Sequence, residues 1–226
     1  MPAPRLAVMC PLDGHFFARA SLQVAAALVG KELRRRWRDL WLSAAIVETE
    51  AYYQREKGSH ASLGRTPSRE ALWAPPGTIY MYYSRGKASF NISCQGPGNA
   101  VLIKAGAPTC TGPELREMQE LNPSTNGGRR EPRQLCAGQT LLARSLALRV
   151  SEWNNRPFDP AEFFVADTGY LPAALIQTTR LGIPAGRDGH LLYRFVDRDQ
   201  AASATENPLR KRGWQLGQEN RLCAPP

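Results

Sequence analysis

The sequence predicts an α+β fold, with helices before and after an antiparallel β-meander. Three β-rich runs, TIYMYYS, ASFNISC and AVLIKAG, follow one another and are joined by the turn-like segments RGK and QGPGN. Short turn-rich connections of this kind predict antiparallel strands. The chain has 226 residues, of which 42% are hydrophobic and 8% aromatic. This length and composition suit one large domain or two small ones with a sizeable core.

The first third of the chain contains one predicted helix and one predicted strand. Residues 1–13 are rich in proline and are expected to be loose. The segment GHFFARASLQVAAALVGKELRRR has apolar residues at roughly helical spacing, and Gly30 is a candidate C-cap. Residues 42–52 predict the first strand. Residues 60–77 are rich in Gly, Pro and Ser, which predicts a loop.

Beyond the meander, the sequence predicts two more helices and two more strands. The helices are TGPELREMQELN and AGQTLLARSLALRV, and the strands are FFVADT and HLLYRFVD. The sequence after residue 200 has little periodicity and predicts a solvated or weakly packed extension over residues 201–226.

The charge of the chain points to a polyanionic partner. Lys and Arg number 29 against 20 Asp and Glu, which gives a net charge of +9. An electropositive surface attracts nucleic acid first and anionic membranes second, and the simpler alternative is charge that serves solubility.

The cysteines and histidines favour no metal site and no disulfide framework. The five cysteines are scattered, never spaced as CxxC, and the three histidines match no zinc-site spacing. The apolar run VAAALVG is too short to span a membrane. We therefore expect a soluble cytoplasmic protein with reduced thiols.

Two glutamates interrupt the predicted strand AAIVETEAYY. Alternation along a strand places Ile46, Glu48, Glu50 and Tyr52 on one face. An ionised carboxylate is costly to bury unless it is paired or takes part in the function of the protein. Three uses fit the pair: metal binding, acid/base cleavage of a glycosidic bond, or one catalytic and one structural glutamate. The alternative is that the two glutamates lie on a solvent-facing sheet edge and have no functional role.

Aromatic side chains strengthen the interpretation of a binding pocket. Tyr80 and Tyr82 share one face of TIYMYYS, and Tyr83 lies on the other. Each ring alone is more often part of a core than a ligand contact. Together with Tyr52, His60 and the basic charge, they indicate a pocket for a nucleobase, on which rings stack.

The motifs resemble, in order and spacing, the alkyladenine (3-methyladenine, N-methylpurine) DNA glycosylases. They are IVETEAY, PPGTIYMYY and FNISCQGPGNAVLIKA, with His60 and a TP pair between the first two. The resemblance is densest over residues 44–107. It continues weakly through LCAGQTLLARSLAL, RLGI and LLYRFV, so it covers roughly residues 15–200.

This resemblance implies a fold, an activity and a set of partners. The fold is a single mixed domain over residues 14–200, with a curved antiparallel sheet flanked by helices. The activity is monofunctional: a damaged purine is flipped out of duplex DNA, and water cleaves its N-glycosidic bond. Family substrates include 3-methyladenine, 7-methylguanine, hypoxanthine and ethenoadenine. The implied partner is double-stranded DNA. We expect a monomer without a cofactor, metal or membrane contact. The protein would be nucleoid-associated in a bacterium and nuclear in a eukaryote.

The resemblance also assigns roles to individual residues. Glu50 matches the base that activates water. Tyr52 and His60 match residues that contact the flipped base, and Tyr82 matches the opposite wall. Asn91 matches a residue that crowds position 2 of the purine and so discriminates against guanine-type bases.

Two further positions carry weaker assignments. Ile183, in RLGI, falls near the family's backbone carbonyl contact to the water. Glu48 has no family role, and we expect it to support the site through hydrogen bonds.

The chain departs from the family pattern at two places. Lys104 stands where the family has an arginine that orients the water, so the charge is kept but the planar fork is lost. The hairpin after Tyr82 is one residue shorter than in the family. The intercalating wedge, a tyrosine in the family, is therefore either Arg85 or Tyr83.

Three alternatives stay open from the sequence. Lys104 could form a Schiff base with the sugar, which would make the protein a glycosylase/lyase. Glu48 and Glu50 could serve a metal-dependent nuclease, although no third acidic residue stands at a telling spacing. The third alternative is a damaged-DNA-binding protein without catalytic activity.

Overall fold

One antiparallel sheet organises the protein in the computed structural model, which describes residues 10–84, 86–210, 217 and 220–226. The sheet is curved and helices pack against it, so the predicted α+β class is confirmed. Its strands within the described residues are β1 Cys10–Pro11, β2 Glu32–Trp37, β3 Leu40–Tyr52, β4 Thr78–Ser84, β5 Lys87–Ser93, β6 Ala100–Pro108, β7 Arg156–Pro157, β8 Phe163–Asp167, β9 Leu175–Thr178, β10 Arg194–Asp197 and β11 Asn220–Cys223.

The sheet branches at β3. Its main path runs in the order β1-β8-β2-β3-β6-β5-β4-β7, and a second wing of β10, β9 and β11 attaches to β3 through β10. Strand β2 pairs with residues 40–45 of β3, and β10 pairs with residues 48–50. The two wings thus share one strand, and that strand contains both glutamates of the sequence motif.

Short helices cover the sheet and connect its strands. The α-helices of the described residues are α1 Gly14–Phe17, α2 Ser21–Leu28, α3 Gly112–Leu121, α4 Pro132–Leu135, α5 Gln139–Ser145 and α6 Val150–Trp153. The 3-10 helices are His60–Leu63, Pro67–Trp73, Ala201–Ser203 and Pro208–Arg210. No helix in this part of the chain is long and apolar enough to cross a membrane.

The largest hydrophobic cluster packs helices against the sheet. Leu28 of α2 and Leu142 of α5 meet Leu42, Ile46 and Ile103 there. A smaller cluster joins the 3-10 helices of residues 60–73 to β4 and β6 through Ala61, Leu72, Tyr80 and Ala100. This cluster holds the segment that carries His60 against the sheet.

The predicted meander is confirmed, and the neighbouring elements differ in detail. Strands β4, β5 and β6 pair in sequence, as the turn signals predict. The long N-terminal helix is wrong in its extent, because the chain breaks between α1 and α2 and residues 32–37 form strand β2. The turn before β2 contains Gly30 at φ +92, a conformation that favours glycine. The loop predicted over residues 60–77 contains two 3-10 helices, and the strand in HLLYRFVD is limited to Arg194–Asp197.

A register shift in β3 changes which residues share a face. The pairing of β3 with β6 shifts between Ile46 and Thr49. Ile46 packs into the largest cluster together with Ala51, whereas Val47 joins a separate cluster. The prediction that Ile46 shares a face with Glu48 is therefore wrong, because a bulge resets the alternation of side chains.

Residues 201–207 pack against the sheet, contrary to the solvated or weakly packed tail that the sequence predicts. Ala201, Ala204 and Asn207 are buried. Thr205 donates to the buried carboxylate of Glu48 twice, from its backbone N at 2.8 Å and from Oγ1 at 2.7 Å. A partner so distant in sequence leaves no periodic signal in the tail itself.

Glu48 and Arg194 form a buried ion pair that joins β3 to β10. The distance from Arg194 Nε to Glu48 Oε1 is 2.7 Å, and the two side chains are 2% and 0% exposed. We expect Glu48→Gln to lower the free energy of unfolding by about 3–5 kcal/mol, because it leaves a buried cation without its counter-charge. Urea denaturation followed by circular dichroism measures the loss.

The exposed pair of Arg149 and Glu152 provides the control. Glu152→Gln is expected to change the free energy of unfolding by less than about 1 kcal/mol, because exposed ion pairs contribute little. Equal losses in the two variants would contradict a structural role for the buried pair.

Candidate active site

A cavity of about 610 Å³ opens beside the C-terminal end of β3. Its walls come from residues 57–63, the strands β4 to β6, and residues 181–187. Most of the site residues predicted from the sequence line this one cavity. They are Tyr52, His60, Tyr82, Tyr83, Asn91, Lys104 and Ile183. Arg85, the other candidate wedge, lies outside the described residues.

Glu50 lies beneath the floor of the cavity with no exposed surface. Its Oε1 accepts a hydrogen bond from the backbone N of Leu181 at 3.1 Å and lies 3.3 Å from Lys104 Nζ. Its Oε2 accepts from Tyr52 Oη at 2.7 Å. All three partners line the cavity. The carboxylate is thus held from both sides by groups that a ligand in the cavity would touch.

The Tyr52 ring separates Glu50 from a buried arginine. Burial raises the pKa of Tyr52 well above its usual value, and the negative charge of Glu50 adds to the shift. The hydroxyl therefore keeps its proton and donates a hydrogen bond to Glu50. On the ring, Cζ of Arg180 lies 4.5 Å from the centroid, a distance typical of a cation–π contact.

Arg180 connects three segments around the site. Its Nη1 donates to the carbonyl of Ala51 at 2.8 Å and to Glu56 Oε2 at 2.5 Å, and its Nη2 reaches the carbonyl of Asp188 at 3.4 Å. Burial raises the pKa of Glu56, although the charge of Arg180 opposes the shift. Neither Arg180 nor Glu56 was predicted from the sequence to belong to the site. The one signal in the sequence is that Arg180 is the first residue of the RLGI motif.

His60, Tyr80 and Tyr82 form a cluster of rings on one wall. The His60 and Tyr82 centroids are 4.5 Å apart, and Tyr80 stacks on Tyr82 at 5.2 Å. Tyr80 Oη lies 2.5 Å from His60 Nδ1. Burial raises the pKa of Tyr80, so the phenol keeps its proton, and Tyr80 and His60 share one hydrogen bond.

Asn91 is fixed in the wall by strand pairing. It lies opposite Tyr80 on β4 and opposite Leu102 on β6. Its Nδ2 donates to the carbonyl of Tyr80 at 3.1 Å, and the side chain is buried. A side chain held in this way presents a fixed surface to whatever enters the cavity.

The two glutamates of β3 have different partners. Glu48 binds Arg194 and Thr205, and neither these residues nor Glu48 itself lines the cavity. The partners of Glu50 in the described part of the chain, Tyr52, Lys104 and Leu181, all line the cavity. Among the described residues, no three His, Cys, Asp or Glu side chains form a group that could hold a metal ion. The arrangement suits a reactive role for the carboxylate of Glu50 and a structural role for that of Glu48.

Comparison with known proteins gives a consistent family. The family model described as methylpurine-DNA glycosylase matches residues 15–201. A relative from Pseudomonas savastanoi pv. phaseolicola is 54% identical over 204 residues, which cover 88% of this chain and 92% of the relative. A relative from Pseudomonas aeruginosa is 54% identical over 216 residues, covering 94% and 90%. One from Rhodopseudomonas palustris is 33% identical over 182 residues, covering 78% and 81%. Each of the three is named "Putative 3-methyladenine DNA glycosylase".

The protonation of His60 makes the free energy of unfolding depend on pH. Burial lowers the pKa of His60, and the charge of Arg69 lowers it further. The unfolded chain, with a histidine pKa of about 6.5, therefore binds the proton more tightly than the folded protein does. The stabilisation is present above about pH 6.5 and is lost as the pH falls through the folded pKa. We expect the wild type to lose more stability than His60→Gln between about pH 7.5 and pH 5.5.

Denaturant unfolding at the two pH values measures this difference. His190→Gln, which changes an exposed histidine, controls for the loss of an imidazole. The same pH dependence in the wild type and His60→Gln would show that His60 titrates alike in the folded and unfolded states.

Proposed function

Because the chain belongs to the methylpurine-DNA glycosylase family, we propose that it hydrolyses the N-glycosidic bond of alkylated purines in duplex DNA and leaves an abasic site. The resemblance drawn from the sequence motifs is thereby confirmed at the level of the family, and the protein is a DNA glycosylase. The substrate, the base flipping and the roles of individual residues form the proposal. Its main support is a ring-lined cavity with a buried carboxylate beneath its floor.

The cavity fits a flat base that has left the DNA stack. A duplex hides the glycosidic bond, so the nucleotide must rotate out before it can be attacked. Tyr52, His60 and Tyr82 present aromatic surfaces on which a purine can stack, and such stacking contributes about 1–3 kcal/mol per ring. Alkylated bases pair and stack less strongly than normal ones, so they enter the cavity more easily.

Glu50 is the proposed base for the attacking water. Each carboxylate oxygen can accept two hydrogen bonds, and among the described residues the donor found at Oε2 is Tyr52. The second position of Oε2 is available to a water that enters between Tyr52 and Lys104. Glu50 would take a proton from this water and stabilise the positive charge that develops on the sugar. An alkylated purine already carries positive charge, so its departure needs little acid assistance.

Lys104 is proposed to orient the water and Glu50. Its ammonium lies 3.3 Å from Glu50 Oε1. Compared with the arginine of the family, lysine supplies one charge without a planar fork. Hypoxanthine and ethenoadenine are neutral and depart less readily than alkylated purines. We therefore place the cationic bases 3-methyladenine and 7-methylguanine ahead of the neutral ones. Between the two, we place 3-methyladenine first, because Asn91 is proposed to crowd position 2 of the purine, where 7-methylguanine carries an amino group. Ile183 is proposed to lie near the water.

Glu50→Gln is expected to abolish base release and to retain DNA binding. The amide keeps the size of the side chain but is no base, and the loss of general-base catalysis lowers rates by about 10²–10⁴-fold. The measurement uses duplexes with single alkylated purines in a buffer with chelator, and it quantifies free base and bound DNA. Base release that requires a divalent metal, or that survives in Glu50→Gln, would overturn the proposal.

Glu48→Gln is the matched control for this experiment. Glu48 is equally buried, lies two residues away on the same strand and does not line the cavity. At a temperature at which both variants are folded, Glu48→Gln should release base at a rate near that of the wild type. A non-catalytic binding protein would release no base in any variant.

The same pair predicts a monofunctional enzyme. A lyase needs a neutral amine to form a Schiff base with the sugar, and the Lys104 ammonium is paired with Glu50. We expect borohydride to trap no covalent adduct between the protein and abasic DNA. A trapped adduct that disappears in Lys104→Ala would establish the lyase activity instead.

A further inference from the structure

Two large apolar side chains project at the mouth of the cavity. Leu63 is 58% exposed and Tyr83 is 62% exposed, and both line the cavity. They come from separate elements, Leu63 from the 3-10 helix His60–Leu63 and Tyr83 from β4. Exposed apolar groups beside a binding cavity are typical of a surface that contacts a partner.

Leu63 is held in place rather than loosely exposed. In a 3-10 helix, residues three apart lie above one another, so Leu63 follows the ring of His60 toward the mouth. Ser59 Oγ caps the helix at Ala61 N, and Ser62 Oγ donates to the carbonyl of Ser59 at 2.7 Å. Gly64 ends the helix at φ +84, and its carbonyl accepts a hydrogen bond from Arg69.

Cations stand beside both projecting side chains. Lys57 and Arg187 line the cavity with Leu63, and Lys87 lies beyond Tyr83 across the β4–β5 turn. All three are exposed, and the ion pairs found among the described residues include none of them. Phosphates of a DNA backbone are the natural counter-charges for such side chains. The mouth of the cavity therefore combines two exposed apolar side chains with three exposed cations whose charge suits phosphate.

We propose that Leu63 is a second wedge, which enters the DNA stack from the mouth of the cavity while the flipped purine occupies it. This inference rests on the proposed function and deepens it by adding a residue that opens the duplex. Apolar wedges unstack neighbouring base pairs and kink the duplex. Together with Tyr83, such a wedge would hold open the gap that the extruded nucleotide leaves.

The physical gain comes from burying the leucine in DNA. The side chain is largely solvated in the free protein, so its insertion between bases removes apolar surface from water. In a fully paired duplex, this gain offsets the free energy that is lost when bases unstack. It contributes little when the lesion has no pairing partner.

The test compares Leu63→Ala with the wild type in single-turnover excision from two substrates. One substrate carries an alkylated purine in a fully paired duplex, and the other carries the same lesion opposite an abasic site. We expect the variant to be slower by about tenfold on the paired substrate, which is the loss from one buried leucine side chain. On the second substrate we expect less than about a twofold change.

Leu171→Ala is the matched control, because Leu171 is 64% exposed and does not line the cavity. It should match the wild type on both substrates. Equal losses on both substrates, or no loss on either, would overturn the wedge. If the wild type itself releases no base from either duplex, the proposed glycosylase function fails instead of the wedge.

Discussion

The burial of two carboxylates on one strand is the constraint on which the rest of the structure depends. Glu48 and Glu50 have no exposed surface, and a buried charge without a partner is strongly destabilising. Antiparallel pairing brings their cations from the neighbours of β3: Arg194 from β10 and Lys104 from β6. Because the sheet branches at β3, each of its two buried carboxylates has a cation from a different neighbouring strand.

The site is built as a series of layers behind the cavity. Glu50 lies beneath Tyr52 and Lys104, the Tyr52 ring rests against Arg180, and Arg180 is neutralised by Glu56. Each layer fixes the one before it through a short contact. A base in the cavity would thus meet rigid rings and a fixed carboxylate, and little reorganisation would be needed during reaction. This preorganisation explains why so many charged groups are buried around one small cavity.

Local patterns in the sequence predict the parts of this arrangement that depend on neighbours along the chain. The meander follows from turn residues between β-rich runs, and the proximity of Glu50 and Tyr52 follows from alternation on a strand. The resemblance to a family adds His60, Asn91 and Ile183, which the structure places around the same cavity. The register shift in β3 has no signal of this kind, because a bulge depends on the partner strand. Arg180 and Thr205 were missed because their contacts with β3 and its neighbouring loop span more than a hundred residues of sequence.

The tail and the active site are coupled through that same strand. Thr205 and Arg194 bind Glu48, and Glu48 lies two residues from Glu50. Since the register shift ends between these glutamates, the direction in which the Glu50 carboxylate points depends on how the Glu48 segment is anchored. An anchor that failed would let the alternation of β3 slip, and a slip by one residue turns each side chain to the other face. Glu50 would leave the floor of the cavity only if this anchor were lost as a whole; in folded Glu48→Gln the amide oxygen can still accept from Thr205, so the alternation is kept. Segments outside the ring-lined cavity are for this reason part of the machinery that holds its carboxylate in place.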